Sequence, residues 1–137
     1  MKIVVNGKLV DGKRSVIDNG REHALVTDLP KAQGGANTGP TALELAVMAL
    51  AGCFTTIYSV IAANKKVPFE SLEVHLEAEK PDKGKTIESV KVKATVVSSD
   101  PERARKTWDD MMHVCPVGEL FKRAGVKIDV ELEVKES

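Results

Sequence analysis

Two periods of apolar and polar residues divide this chain. From Ser71 to Glu79 the residues alternate strictly. Leu72, Val74, Leu76 and Ala78 fall on one side, and Glu73, His75, Glu77 and Glu79 on the other. A period of two is that of a strand with one wet face. Ile87–Val97 alternates in the same way beyond the turn residues Pro81-Asp82-Lys83-Gly84, so the two stretches predict an antiparallel hairpin. Val126–Val134 alternates again as a last strand, with Ile128, Val130 and Leu132 on one face. Leu45–Ala63 behaves differently, with 19 consecutive residues and no charge. Thr41 and Glu44 form a capping box ahead of it, which predicts a helix from Ala42 to about Asn64. Lys65 and Lys66 suit its C-terminal dipole end. The helix is apolar almost all round, so a buried central helix is expected. Its length would also span a bilayer. Gly52, Cys53, Thr55, Thr56, Tyr58 and Ser59 interrupt it, however, and the flanking strands are those of a soluble protein, so a core helix is preferred.

The remaining segments follow from turn and cap chemistry. Lys2–Val5 and Lys8–Val10 flank Asn6-Gly7, a two-residue hairpin signal. Arg14–Ile17 and His23–Thr27 flank a second turn at Asp18-Asn19-Gly20. Asp28 to Pro40 has no periodicity and reads as a long loop. Pro101 after Ser99-Asp100 opens a helix through about His113. Cys115-Pro116 opens another, ending near Ala124-Gly125. Strands, a long helix, two strands, two helices and a strand make an α+β fold, an antiparallel sheet with helices packed on it. A single domain over residues 1–137 is expected.

Composition narrows the function classes. Net charge is zero, which argues against a nucleic-acid binder that works by neutralising phosphates. Residues Met1–Val10 lack the apolar core of a secretory signal, so a cytoplasmic protein is expected. In that compartment two cysteines are more often reduced, metal-bound or catalytic than structural. His113 stands two residues before Cys115, but the other histidines, His23 and His75, supply no dense ligand set, and no metal is expected.

The two cysteines have contrasting settings. Residues on the helical face of Cys53 are Ala46, Ala49, Leu50, Thr56, Ile57 and Val60. These mainly apolar surroundings would raise a thiol pKa unless a cation is supplied. Taken alone, Cys53 is most simply an inert core cysteine. Cys115 sits where unpaired N–H groups and a positive helix end favour thiolate.

The segment Gly39-Pro40-Thr41-Ala42-Leu43-Glu44-Leu45 through Gly52-Cys53, with Cys115-Pro116-Val117 and the closing strand, resembles the OsmC/Ohr superfamily, in particular its OsmC-like branch. The resemblance runs from Gly39 to the end. It implies an intertwined homodimer with antiparallel sheets wrapped around long central helices. It also implies thiol-dependent reduction of organic hydroperoxides in stress defence, without a cofactor. Carried over, Cys53 is the peroxidatic nucleophile and Cys115 the resolving thiol, joined in a disulfide that an external dithiol reduces. The peroxidase branches pair an activating arginine with a glutamate ten residues before the first cysteine. Here that position is Leu43, and Glu44 fits the capping box instead. Arg14 and Arg21 are the only arginines before Cys53, and Arg14 is the better candidate. The rival expectation is a non-enzymatic OsmC-like protein that binds a small apolar molecule or senses redox state. Neither version needs nucleic acid or a membrane.

Overall fold

A computed structural model describes every residue from Met1 to Ser137. The chain divides into two compact units, Met1–Ala46 and Val47–Ser137.

The first unit is a three-stranded antiparallel sheet of β1 (Asn6–Asp11), β2 (Arg14–Asp18) and β3 (Ala24–Thr27), in that order. The first turn differs from the sequence expectation. It falls at Gly12-Lys13, with Gly12 at φ +53°, and Asn6-Gly7 lies inside β1 while Lys2–Val5 forms no strand. The reason is register. Asn6 stands opposite Asp18, and its amide donates to the Asp18 carboxylate at 3.1 Å, so its side chain serves the strand pair instead of a turn.

The loop after β3 is ordered by one carboxylate. Asp28 is buried and accepts from the Leu29 N–H at 2.7 Å, the Thr38 N–H at 3.1 Å and the Thr38 hydroxyl at 2.6 Å. The Asp28 N–H donates to the Pro40 carbonyl, closing the loop at its base. Gly39 is required here, because a Cβ would lie 2.4 Å from the Val26 carbonyl oxygen. This seam delivers the chain to α1 (Ala42–Lys65). The capping box is formed in both directions, with Glu44 N–H donating to Thr41 Oγ1 and Thr41 N–H to Glu44 Oε1.

The second unit contains most of α1 and a three-stranded sheet in the order β4 (Ser71–Glu79), β5 (Ser89–Ser98), β6 (Lys127–Glu136). β4 and β5 make the expected antiparallel hairpin. β6 instead joins β5 in parallel, so this sheet is mixed. Two helices intervene, α2 (Pro101–Val114) and α3 (Pro116–Arg123), and a crossover of that length returns the chain in the same direction. On the wet face Lys91 lies between Glu77 and Asp129, and Lys93 between His75 and Glu131. On the other face Val90, Val92, Ala94 and Val96 are buried.

The core joins that face to one stripe each from α1 and α2. Leu50, Phe54, Tyr58 and Ala62 recur every fourth residue on α1, and Ala104, Thr107, Trp108 and Met111 line α2. Phe54 meets Trp108 edge-on at 5.8 Å, and the Tyr58 hydroxyl donates to the Ala104 carbonyl at 3.1 Å. Within one chain, then, α1 is not buried all round. Its opposite side, with Met48, Ala49, Gly52, Thr56 and Val60, is exposed. By length and composition α1 is also apolar enough to cross a membrane.

Candidate functional site: a thiol pair between α1 and α3

Cys53 lies on α1 next to the buried stripe and is half-buried. Cys115 is the single residue between α2 and α3, with extended backbone at φ −64° and ψ 114°. Pro116 at the first position of α3 enforces that break, since proline disfavours helical geometry in the residue before it. The same residue closes one helix and caps the next. Its N–H donates to the Met111 carbonyl, and its Sγ accepts the Gly118 N–H at 3.4 Å.

Folding brings the two sulfurs together across 62 residues of chain, with Cys115 Sγ donating to Cys53 Sγ at 2.8 Å. Both thiols are free. The separation exceeds the ~2.05 Å of a disulfide bond, and a small movement of either side chain would close it. The two thiols thus lie within reach of a disulfide.

Burial dominates the electrostatics of Cys115. Cys115 is 2% exposed. Burial, and then its hydrogen bond to Cys53, push the Cys115 thiol up to about 11. The N–H groups of Gly118 and Val117 pull the other way, but less strongly. The helix start seen in the sequence is real, yet desolvation outweighs it. Burial and the contact with Cys53 thus favour the protonated form of Cys115.

The walls are apolar and close. A Cβ on Gly118 would lie 3.4 Å from Cys115 Sγ and 3.6 Å from the Phe54 ring. Gly118 lies against Cys115, with the Phe54 ring beside Gly118, and neither was singled out from the sequence. The spacing Cys-Pro-x-Gly was the available signal: proline at the first helical position marks the cysteine as cap, and the cap's side chain then reaches the third N–H.

The third candidate, Arg14, belongs to β2 in the other unit. Its guanidinium Nη2 donates to the Asp11 carboxylate at 3.0 Å, and its Nε is buried without an acceptor. Arg21 stands in the turn before β3, where its N–H donates to the Asn19 side chain. Glu44 is committed to its cap. No group of three or more His, Cys, Asp or Glu residues forms a metal cluster.

The model of the OsmC-like protein family matches residues 34–131, a span that includes the loop glycines, both cysteines and all of α1 to α3. The chain belongs to the OsmC-like family. No curated protein matches it in sequence. Among solved structures, it is similar to an OsmC-like protein from Mycoplasma pneumoniae at 15% identity and a TM-score of 0.85, covering 98% of each chain. It is also similar to an organic hydroperoxide resistance protein OsmC from Legionella pneumophila, at 18% identity and a TM-score of 0.70, covering 98% of this chain and 97% of that one. An organic hydroperoxide resistance protein from Elizabethkingia anophelis gives 18% and 0.71, covering 100% and 97%. At these identities the likeness is one of fold: the OsmC-like α+β architecture.

Proposed function

We propose that this OsmC-like protein reduces organic hydroperoxides with its thiol pair. The carrying observation is the 2.8 Å contact in which a protonated Cys115 donates to Cys53 Sγ. In this reading Cys53 is the nucleophile. Its thiolate attacks the distal peroxide oxygen, the O–O bond breaks, and an alcohol leaves after taking a proton. Cys53 is left as a sulfenic acid. The Cys115 thiol then attacks Cys53 Sγ, water leaves, and the disulfide forms. A dithiol returns two electrons and both protons. The apolar walls suit a bulky, lipid-like peroxide. The hydroperoxide-resistance proteins of similar fold lend support by analogy.

The reading assigns Arg14 to stabilising the Cys53 thiolate and binding peroxide oxygen. Arg14→Ala should slow peroxide reduction at least tenfold, with Arg21→Ala nearly silent. It also assigns the work to a cytoplasmic homodimer in stress defence, needing no metal, cofactor, nucleic acid or membrane.

One observation favours a second reading, redox sensing or apolar-ligand binding: no cationic side chain within Val47–Ser137 hydrogen-bonds to either sulfur. Stopped-flow mixing of reduced protein with cumene or tert-butyl hydroperoxide separates them. The enzyme reading expects rapid loss of both thiols and one equivalent of alcohol. Thiol loss no faster than that of free cysteine would sink it in favour of the second reading.

A further inference from the structure

The reductive half of the cycle requires a choice that the thiol pair alone leaves open. An incoming thiolate can attack either sulfur of the Cys53–Cys115 disulfide, and the sulfur it does not attack must leave. We infer that the external thiol attacks Cys53 Sγ, and that Cys115 Sγ is the leaving sulfur, received by the Gly118 N–H at the start of α3.

Access and direction carry this. Displacement at sulfur proceeds in line, so the attacker must approach from behind the sulfur it attacks, opposite the leaving group. Cys115 is 2% exposed, and its Sγ faces the Gly118 N–H at the start of α3. A thiol has no path to it. Cys53 is partly exposed on α1 and packs at the margin of the core instead of within it.

The departing sulfur is also provided for. Cys115 Sγ already accepts the Gly118 N–H at 3.4 Å, so charge that develops on it meets a donor held by α3. Burial opposes that charge and keeps the thiol's ordinary state neutral. Cys115 therefore takes up a proton on leaving. Leaving-group acidity alone would favour attack on Cys53 only if Cys115 were the more acidic thiol, because a low-pKa thiol departs faster. Its raised pKa points the other way. Here access outweighs acidity, because a sulfur that cannot be reached cannot be attacked.

The steps balance. The first thiolate of the reductant forms a bond to Cys53 Sγ, the Sγ–Sγ bond breaks, and its electron pair goes to Cys115. The reductant's second thiolate attacks its own sulfur in the mixed disulfide and leaves as a cyclic disulfide. Cys53 is released as thiolate. Two electrons pass from dithiol to protein.

This inference rests on the thiol pair of the proposed function but not on peroxide as its oxidant. The full chain is therefore oxidised with diamide, and disulfide formation is verified by mass. It is mixed with 2-mercaptoethanol, quenched in acid within seconds, alkylated with N-ethylmaleimide and mapped by tandem mass spectrometry. The expected species carries mercaptoethanol on Cys53 and maleimide on Cys115, in at least tenfold excess over the reverse. Predominant mercaptoethanol on Cys115, or equal partition, would overturn the inference, as would failure of diamide to form the disulfide. A protein that passes this test yet does not consume hydroperoxide refutes only the peroxidase reading.

Discussion

Replacing Cys53 with serine leaves Cys115 as the only thiol and isolates the conflict that decides which sulfur can act as nucleophile. The start of α3 draws Cys115 toward thiolate, while burial opposes it. In the structure burial is the larger effect and the thiol lies at about 11 against an ordinary 9.0. Part of that rise comes from Cys53 itself, through its hydrogen bond and its charge, so the variant keeps only the part due to burial. The replacement keeps a short polar side chain on α1, and burial, the dominant cause, is untouched. The assay is iodoacetamide alkylation of Cys53→Ser between pH 7 and pH 11.5, with the same protein in urea as reference. At pH 7.5 the folded variant should alkylate at least about tenfold more slowly than the unfolded one, because burial both lowers the thiolate fraction and limits access. Its rate should still be rising at pH 10, where the urea sample has levelled off. A folded Cys115 that titrates at or below 9 would refute the reasoning. The helix start would then govern the thiol, and Cys115 would become the better nucleophile.

Three further outcomes test the surrounding structure. Phe54→Ala removes a fully buried ring that contacts Trp108, and should cost about 3–5 kcal/mol in urea denaturation; a loss under about 1 kcal/mol would show that the ring is not packed as described. If two copies cover the exposed side of α1, sedimentation at micromolar concentration should give twice 14.8 kDa, and Gly52→Glu, placed where a Cβ meets nothing within 4 Å of its own chain, should give a monomer; a monomeric wild type would exclude the homodimer. Hydrogen bonds from the Thr38 hydroxyl and the Leu29 N–H hold the Asp28 carboxyl down to about 2, below its ordinary 3.8. A depressed carboxyl stabilises the fold above its unfolded value and loses that contribution as pH falls toward its folded value. The urea midpoint should therefore drop between pH 4 and pH 2 more steeply in wild type than in Asp28→Asn, and equal slopes would show that Asp28 plays no such part.

Local chemistry settled much of this protein. Strict alternation determined the β4–β5 hairpin, because a strand has period two whatever it packs against. Thr41 with Glu44, and Pro101 and Pro116 at first helical positions, determined where helices start, because caps act within four residues. The span Gly39–Cys53 with Cys115 was enough to indicate the family. Long-range pairing was not legible. Asn6-Gly7 has the chemistry of a turn, but the register that sets Asn6 against Asp18 overrode it. The alternation of Val126–Val134 identifies a strand without a direction, and only the crossover through α2 and α3 made β6 parallel to β5. An apolar circumference on α1 does not say which stripe one chain buries; packing against α2 chose Leu50, Phe54, Tyr58 and Ala62. The same limit applied to the thiols. A helix start acts over one turn and can be read from Cys115-Pro116, whereas desolvation depends on every atom that excludes water. Only the folded core could bury Cys115 beside Cys53 and reverse the preference that the local sequence expresses.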